Sequence, residues 1–195
     1  MALAHDVLRP GRPPKLDDAG TATRERLLAA AAAACVEHGF EGTTVIDIAR
    51  RADVSAPAIY NHFGGKVELL IAAGRAALDR LRPADGGQRS AADIARLFLA
   101  DDFADTRRLL TELHLAGQRH VEVADLLAKW HGDHAATWVP RAAGRHRQAD
   151  VKLFFALLLG LCQIDSMASL GGSSAAVGDR VAALLPALFP KESGR

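Results

Sequence analysis

Apolar residues recur along this chain every three or four positions, the spacing that lines one face of an α-helix. A first helix is predicted over about residues 21–39. A threonine at 21 or 23 can cap it, Leu27, Leu28 and the alanine run 29–34 supply its inner face, and Gly39 ends it in a conformation that costs glycine little. A second, short helix starts at Thr44, with Val45, Ile48 and Ala49 on one side. After a break at Asp53 and Val54, Ser55 caps a third helix, with Pro57 in its first turn and Ile59 and Phe63 turned inward. Gly64 and Gly65 stop it. A fourth helix runs over about 66–82, with Leu69, Leu70, Ala73, Ala77 and Leu81 at helical spacing. The stretch 83–89 is a loop, after which Ser90 caps a helix with Asp93 three residues on and Ile94, Leu97 and Phe98 inside. Further helices are predicted at about 105–118, at 122–139 with Pro140 closing it, at 148–170 and at 175–188. No segment alternates convincingly with period two. The fold class is therefore all-α, with about nine helices and no internal repeat.

Composition narrows the class. The 195 residues are 49% hydrophobic and 24% charged, ordinary for a soluble globular protein. The formal net charge is +1, so any nucleic-acid surface must be a local patch. Cys35 and Cys162 stand far apart with no CxxC pair, which excludes a disulfide framework and a thiolate zinc site and fits a reducing cytoplasm. No secretory signal is visible, and the longest apolar run, 153–162, is about half the roughly 20 residues that span a bilayer. A cytoplasmic location with no membrane partner is expected. Residues 1–20 hold Pro10, Pro13 and Pro14 and a basic stretch over 9–15, and read as a disordered basic arm.

The chemistry concentrates in residues 44–63: two short helices joined by a tight turn, the helix-turn-helix layout whose second helix enters the major groove. Spacing alone is weak evidence, and the local residues strengthen it. Asp53 occupies the turn position that often needs a left-handed backbone, which Asp tolerates better than most. Tyr60, Asn61 and His62 cluster where Ile59 and Phe63 anchor the helix, and Lys66 follows. Hydroxyl, imidazole and ammonium groups are the donors that phosphates take.

The segment GFEGTTVIDIARRADVSAPAIYNHFGGK, residues 39–66, closely resembles the DNA-binding signature of the TetR family of regulators, and the resemblance covers roughly residues 22–75. It implies that Thr44, Tyr60, His62 and Lys66 contact phosphates, and that Ser55, Ala56, Pro57, Ala58 and Asn61 face base edges or the adjoining backbone. Two positions depart from the family pattern: Asp53 replaces the turn glycine, and Cys35 replaces an aromatic near the end of the first helix. The C-terminal half matches only in length and helix order. The resemblance implies an N-terminal three-helix domain over 21–66, a ligand-binding and dimerisation domain over 67–190, and a tail over 191–195.

Ala56, Pro57 and Ala58 are apolar, and Ile46 on the supporting helix cannot hydrogen-bond a base. Base discrimination is therefore expected to rest on thymine methyl contacts and on Asn61, whose amide can pair with adenine. The basic arm either lies as a solvated tail or lays Arg12 in an A·T minor groove.

Elsewhere the chemistry is thinner. His131 and His134 stand at i, i+3, a spacing that can bind metal, but no third ligand accompanies them. Trp130, His134 and Trp138 share a stripe that reads either as core or, with His114 from the preceding helix, as the wall of a small-molecule pocket. Cys35, in an apolar helix without a basic neighbour, reads as packing. No nucleophile elbow or phosphate loop occurs, so no enzyme, cofactor or metal is expected. Residues 153–161 leave almost no polar face and need covering on all sides. Phe154, Leu158, Leu161, Leu184 and Leu188 are thus expected in a homodimer interface, an intermolecular four-helix bundle as in the resembled family, and two-fold symmetry then predicts a pseudo-palindromic double-stranded DNA operator. The expected function is a repressor released from that operator by a small apolar effector. The alternatives are a regulator controlled by protein partners without a ligand, and a small all-α enzyme or metal-binding protein.

Overall fold

The computed structural model describes residues 16–81, 89–138 and 147–188. Among the described residues the chain is all-helical, as its periodicity predicts: α1 (Leu16–Gly42), α2 (Val45–Arg51), α3 (Ala56–Ile59), α4 (Lys66–Asp79), α5 (Ala91–Phe98), α6 (Ala104–Gly117), α7 (Val121–Trp138), α8 (Arg147–Leu161) and α9 (Ser174–Leu188), with short 3₁₀ segments at Asp101–Phe103 and Ile164–Leu170.

Several boundaries differ from the expected ones. Helix α1 starts at Leu16 rather than near Thr21, so residues 16–20, expected within the disordered arm, are helical. Pro14 is the last proline before Gly39, and Gly20, at a cost of only about 1 kcal/mol, does not stop the register from extending back. Gly39 does break the helical dihedrals, at φ 71° and ψ 174°, although one further turn continues to Gly42. Helix α8 ends at Leu161 instead of running to 170: Cys162 N–H is shared between the Leu158 and Leu159 carbonyls at 3.0 and 3.1 Å, and the chain tightens into the 3₁₀ segment. Helix α3 is a single turn, because the N–H groups of Tyr60, Asn61 and His62 each bond a carbonyl three residues back.

Packing follows from side-chain size. The α1 face of Leu27, Ala31, Ala34 and Cys35 is fully buried, and its alanines let α4 and α6 approach closely. At Gly74 on α4 a Cβ would stand 2.9 Å from Leu113 Cδ1 of α6, so glycine sets that spacing. One contiguous cluster runs from Leu27 through Ile59, Leu70 and Leu113 to Phe154 and Cys162. The helix-turn-helix segment and the C-terminal helices therefore share a core. Helix α5 packs on α9, where Arg96 Nε meets Asp179 Oδ1 at 3.0 Å. The Arg107 guanidinium, 1% exposed, donates to the carbonyls of Phe98 and Ala100 and so ties off the end of α5.

Candidate nucleic-acid interface

Thr44 caps α2: its Oγ1 accepts from Asp47 N–H at 3.1 Å. Ile48 and Ala49 on this helix are buried, which leaves Ile46 outward and 73% exposed. Asp53 then takes φ 53°, the left-handed turn expected of it, and is the one non-glycine residue with positive φ among those described. Ser55 stands at the N-cap of α3 but makes no side-chain cap, so its hydroxyl faces water. Ile59 and Phe63, at 0% and 4% exposure, root the segment in the core. Ser55, Pro57, Tyr60 and Asn61 are left exposed, and Ala56, Ala58 and His62 half-buried, on a surface shared with Ile46 and Thr44.

The supporting helices hold this head through ion pairs. Asp47 receives Arg50 at 2.6 Å and Arg51 at 2.8 Å, and Arg51 also reaches Glu37 of α1 at 2.8 Å. Those two arginines, Arg50 foremost, keep the Asp47 carboxyl below the usual range.

Lys66 corrects an expectation. Its Nζ donates to the Phe40 carbonyl at 2.9 Å and stands 4.5 Å from the Phe40 ring centroid, so the ammonium is turned inward onto the end of α1 rather than presented to a phosphate. Arg24, which lies outside the motif, stands over the Phe63 ring at 5.1 Å and brings an exposed cation beside His62. No local sequence signal marks it, because a contact across 39 positions leaves no periodicity.

Residues 27–73 match the model of bacterial regulatory proteins of the tetR family. Over that segment the chain is similar to regulators of the tetR family. Its sequence is 36% identical over 94 residues to the HTH-type transcriptional regulator CymR of Pseudomonas putida, a match covering 42% of this chain and 46% of that protein. The chain thus matches about half the length of that relative. Likeness of fold reaches further. A TetR-family transcriptional regulator from Rhodococcus sp. superposes with a TM-score of 0.64 at 23% identity, over 87% of this chain and 99% of the other. The regulator FadR of Bacillus subtilis, solved in complex with stearoyl-CoA, superposes with a TM-score of 0.53 at 16% identity, over 85% and 97%.

Within this TetR-type frame, Cys35 fills the position of the absent aromatic at 0% exposure. Burial, then the charge of Glu112, pushes its thiol up to about 12, against smaller opposing effects of Lys66 and Thr43. Lys66, distant in sequence, is thus a basic neighbour of Cys35, yet desolvation prevails and the thiol stays protonated.

The pocket residues divide. Trp130 is 4% exposed and packs within the core cluster. His114 does face α7, but its partner is His131, which the pocket set omitted: their Nε2 atoms lie 3.2 Å apart, the rings stack at 5.2 Å, and Phe155 of α8 covers His131 at 4.4 Å. The His114 Nδ1–H donates to the Leu110 carbonyl at 2.7 Å, leaving its Nε2 as the acceptor for His131. Burial lowers both imidazoles, His131 to about 4. The side chains of His134 and Trp138, like Arg12 and Pro140, lie outside the described residues. No group of three or more metal-ligating side chains occurs among the described residues.

The expected interface residues also divide. Phe154, expected in the interface, is instead 2% exposed and covered by its own chain. Leu158 and Leu161 are half-buried against Ala95, Val181 and Leu185. Leu184 is exposed, as are Leu153 and Leu170. The side chain of Leu188 lies outside the described residues. No helix among the described residues is long and apolar enough to cross a membrane.

Proposed function

We propose that this chain is a DNA-binding transcription regulator that acts as a homodimer on a pseudo-palindromic operator and represses until a small-molecule effector lowers its hold on DNA. The observation that carries the reading is the head itself: a left-handed turn at Asp53, two buried anchors at Ile59 and Phe63, and an outward surface of Ile46, Ser55, Pro57, Tyr60 and Asn61. Ile46 and Tyr60 are large and exposed without an intramolecular partner among the described residues, a cost in water that contact with a duplex removes. The apolar members meet thymine methyls, Asn61 pairs with adenine, and Thr44, Tyr60 and His62 reach phosphates. Exposed Leu153 and Leu184 supply an apolar strip on α8 and α9 for pairing with a second copy.

Release needs a ligand that prefers the non-binding state. Lowering operator occupancy about a hundredfold takes roughly 3 kcal/mol of preference. The similar fold of FadR, solved with stearoyl-CoA, makes a ligand cavity in the C-terminal helices a reasonable part of this reading.

The test is a gel-shift titration of DNA flanking the chain's own gene against random DNA of equal length. The flanking DNA should bind more tightly, and Asn61→Ala should erase preference at one adenine per half-site. Equal affinity for both DNAs would sink the proposal.

A further inference from the structure

A groove of about 950 Å³ runs between the segment that follows α3, helix α4 and helix α7. Its floor is apolar: Ile71, Ala72 and Ala76 from α4 and Leu126 from α7. Arg75 rises from the same face of α4. Its Nε is shielded from water and meets no hydrogen-bond acceptor among the described residues, where no ion pair involves Arg75 either. A shielded donor without an acceptor is costly, and a guanidinium is the side chain best shaped to take a carboxylate through two parallel bonds.

The other charges of the groove are spoken for or face water. Lys66 donates to Phe40, Arg24 stacks on Phe63, and Glu68 Oε2 accepts from Gly64 N–H at 2.8 Å. Asp79, Glu122, Asp125 and Lys129 form an exposed rim of both signs, screened by solvent. The floor therefore offers an apolar bed with one cationic anchor, the arrangement that selects an amphipathic acid.

We propose that this groove binds a small amphipathic carboxylate, its apolar body on Ile71, Ala76 and Leu126 and its head on Arg75. One wall is His62 to Gly65, directly after the reading head, and the other is α7. An occupant touches both and sets their separation. Taking the occupant as the effector rests on the proposed function; its binding does not.

The experiment is calorimetric titration of the full chain with decanoate and benzoate, each against its neutral alcohol, decanol or benzyl alcohol. At least one acid should bind saturably and at least tenfold more tightly than its alcohol. Arg75→Met should weaken that acid at least tenfold while the ligand-free melting midpoint and DNA affinity hold. Should Arg75→Met fail to fold, Arg75→Lys, which keeps charge without the planar fork, should weaken the acid several-fold. No binding by either acid, equal binding by acid and alcohol, or indifference to both Arg75 variants overturns the site. Acid binding through Arg75 by a chain that holds no DNA would sustain the site and defeat the regulatory reading alone.

Discussion

Glu112 of α6 accepts a hydrogen bond from the Phe40 N–H at 3.0 Å, across 72 positions of sequence. The same short stretch is held from two further sides: Lys66 takes the Phe40 carbonyl, and His120, just past α6, meets Glu41 at 2.6 Å while its ring lies 5.6 Å from Phe40. Three parts of the chain thus grip the kink at the end of α1. The end of α1, next to the reading head, is fastened to α6 as well as to α4. Removing the acceptor strands a part-buried N–H, so Glu112→Ala should cost about 1–3 kcal/mol, read as a lower urea midpoint with unchanged slope. Glu112→Gln, which keeps an acceptor, should recover much of that loss.

The kink itself sets a second expectation. Gly39 has φ 71°, and a Cβ there would stand 3.1 Å from Glu112 Oε2. Gly39→Ala incurs the left-handed penalty and crowds the Glu112 contact together, so it should destabilise by about 1–2 kcal/mol. Asp53 at φ 53° behaves differently, since no glycine stands there to lose. Asp53→Gly should leave stability level or slightly raised, whereas Asp53→Val should lose more than about 1 kcal/mol, β-branched residues being poorest in this region. Thermal midpoints of the three variants settle the order.

Lys66 distinguishes a structural from a DNA-contacting cation. Because its ammonium is turned onto Phe40, Lys66→Met should lower stability by about 1–2 kcal/mol through loss of the charge-assisted bond and the ring contact. The salt dependence of DNA binding should keep its slope, whereas a lost phosphate contact would reduce the slope by about 1. Measuring log K against log salt for wild type and variant decides between them.

The His114–His131 pair predicts how stability depends on pH. Both imidazoles bind protons less readily folded than unfolded, and His131 titrates at about 4 instead of 6.5. The unfolded chain therefore takes up protons first, so the pair's contribution is complete above about pH 6.5 and is lost as pH falls toward 4. Carboxylates held low, such as Asp47 beside Arg50, weaken the fold only in a more acidic window. His131→Gln preserves a donor toward His114 and removes one titration. Urea denaturation at pH 7.5 and pH 5 should show a smaller acid loss for the variant than for wild type.

Much of this was readable from local pattern. Helix periodicity marked α2 to α7 within a few residues, and Asp53, Ile59 and Phe63 took the turn and anchor positions that their chemistry suggested. Ser90 capped α5 as expected, its Oγ accepting from Asp93 N–H at 3.1 Å. What escaped was long-range. Nothing near Glu112, His120 or Arg24 in sequence shows that they converge on Phe40 or Phe63. An aromatic stripe does not say whether Trp130 lines a cavity or fills a core. An all-apolar helix does not say which of its leucines and phenylalanines its own chain covers, and Phe154 proved to be one of those. Lys66 fitted the motif by type, while its direction was set by a carbonyl 26 residues earlier.

The most direct measurement is a hydroxyl-radical footprint of the purified chain on DNA flanking its own gene, with the number of chains bound read by sedimentation. Two chains should protect two dyad-related half-sites on one face of the duplex, centred about 10 base pairs or a multiple apart. Tyr60→Ala should abolish both at the same concentration. A lone, asymmetric footprint by one chain, or protection that Tyr60→Ala leaves intact, would contradict the account.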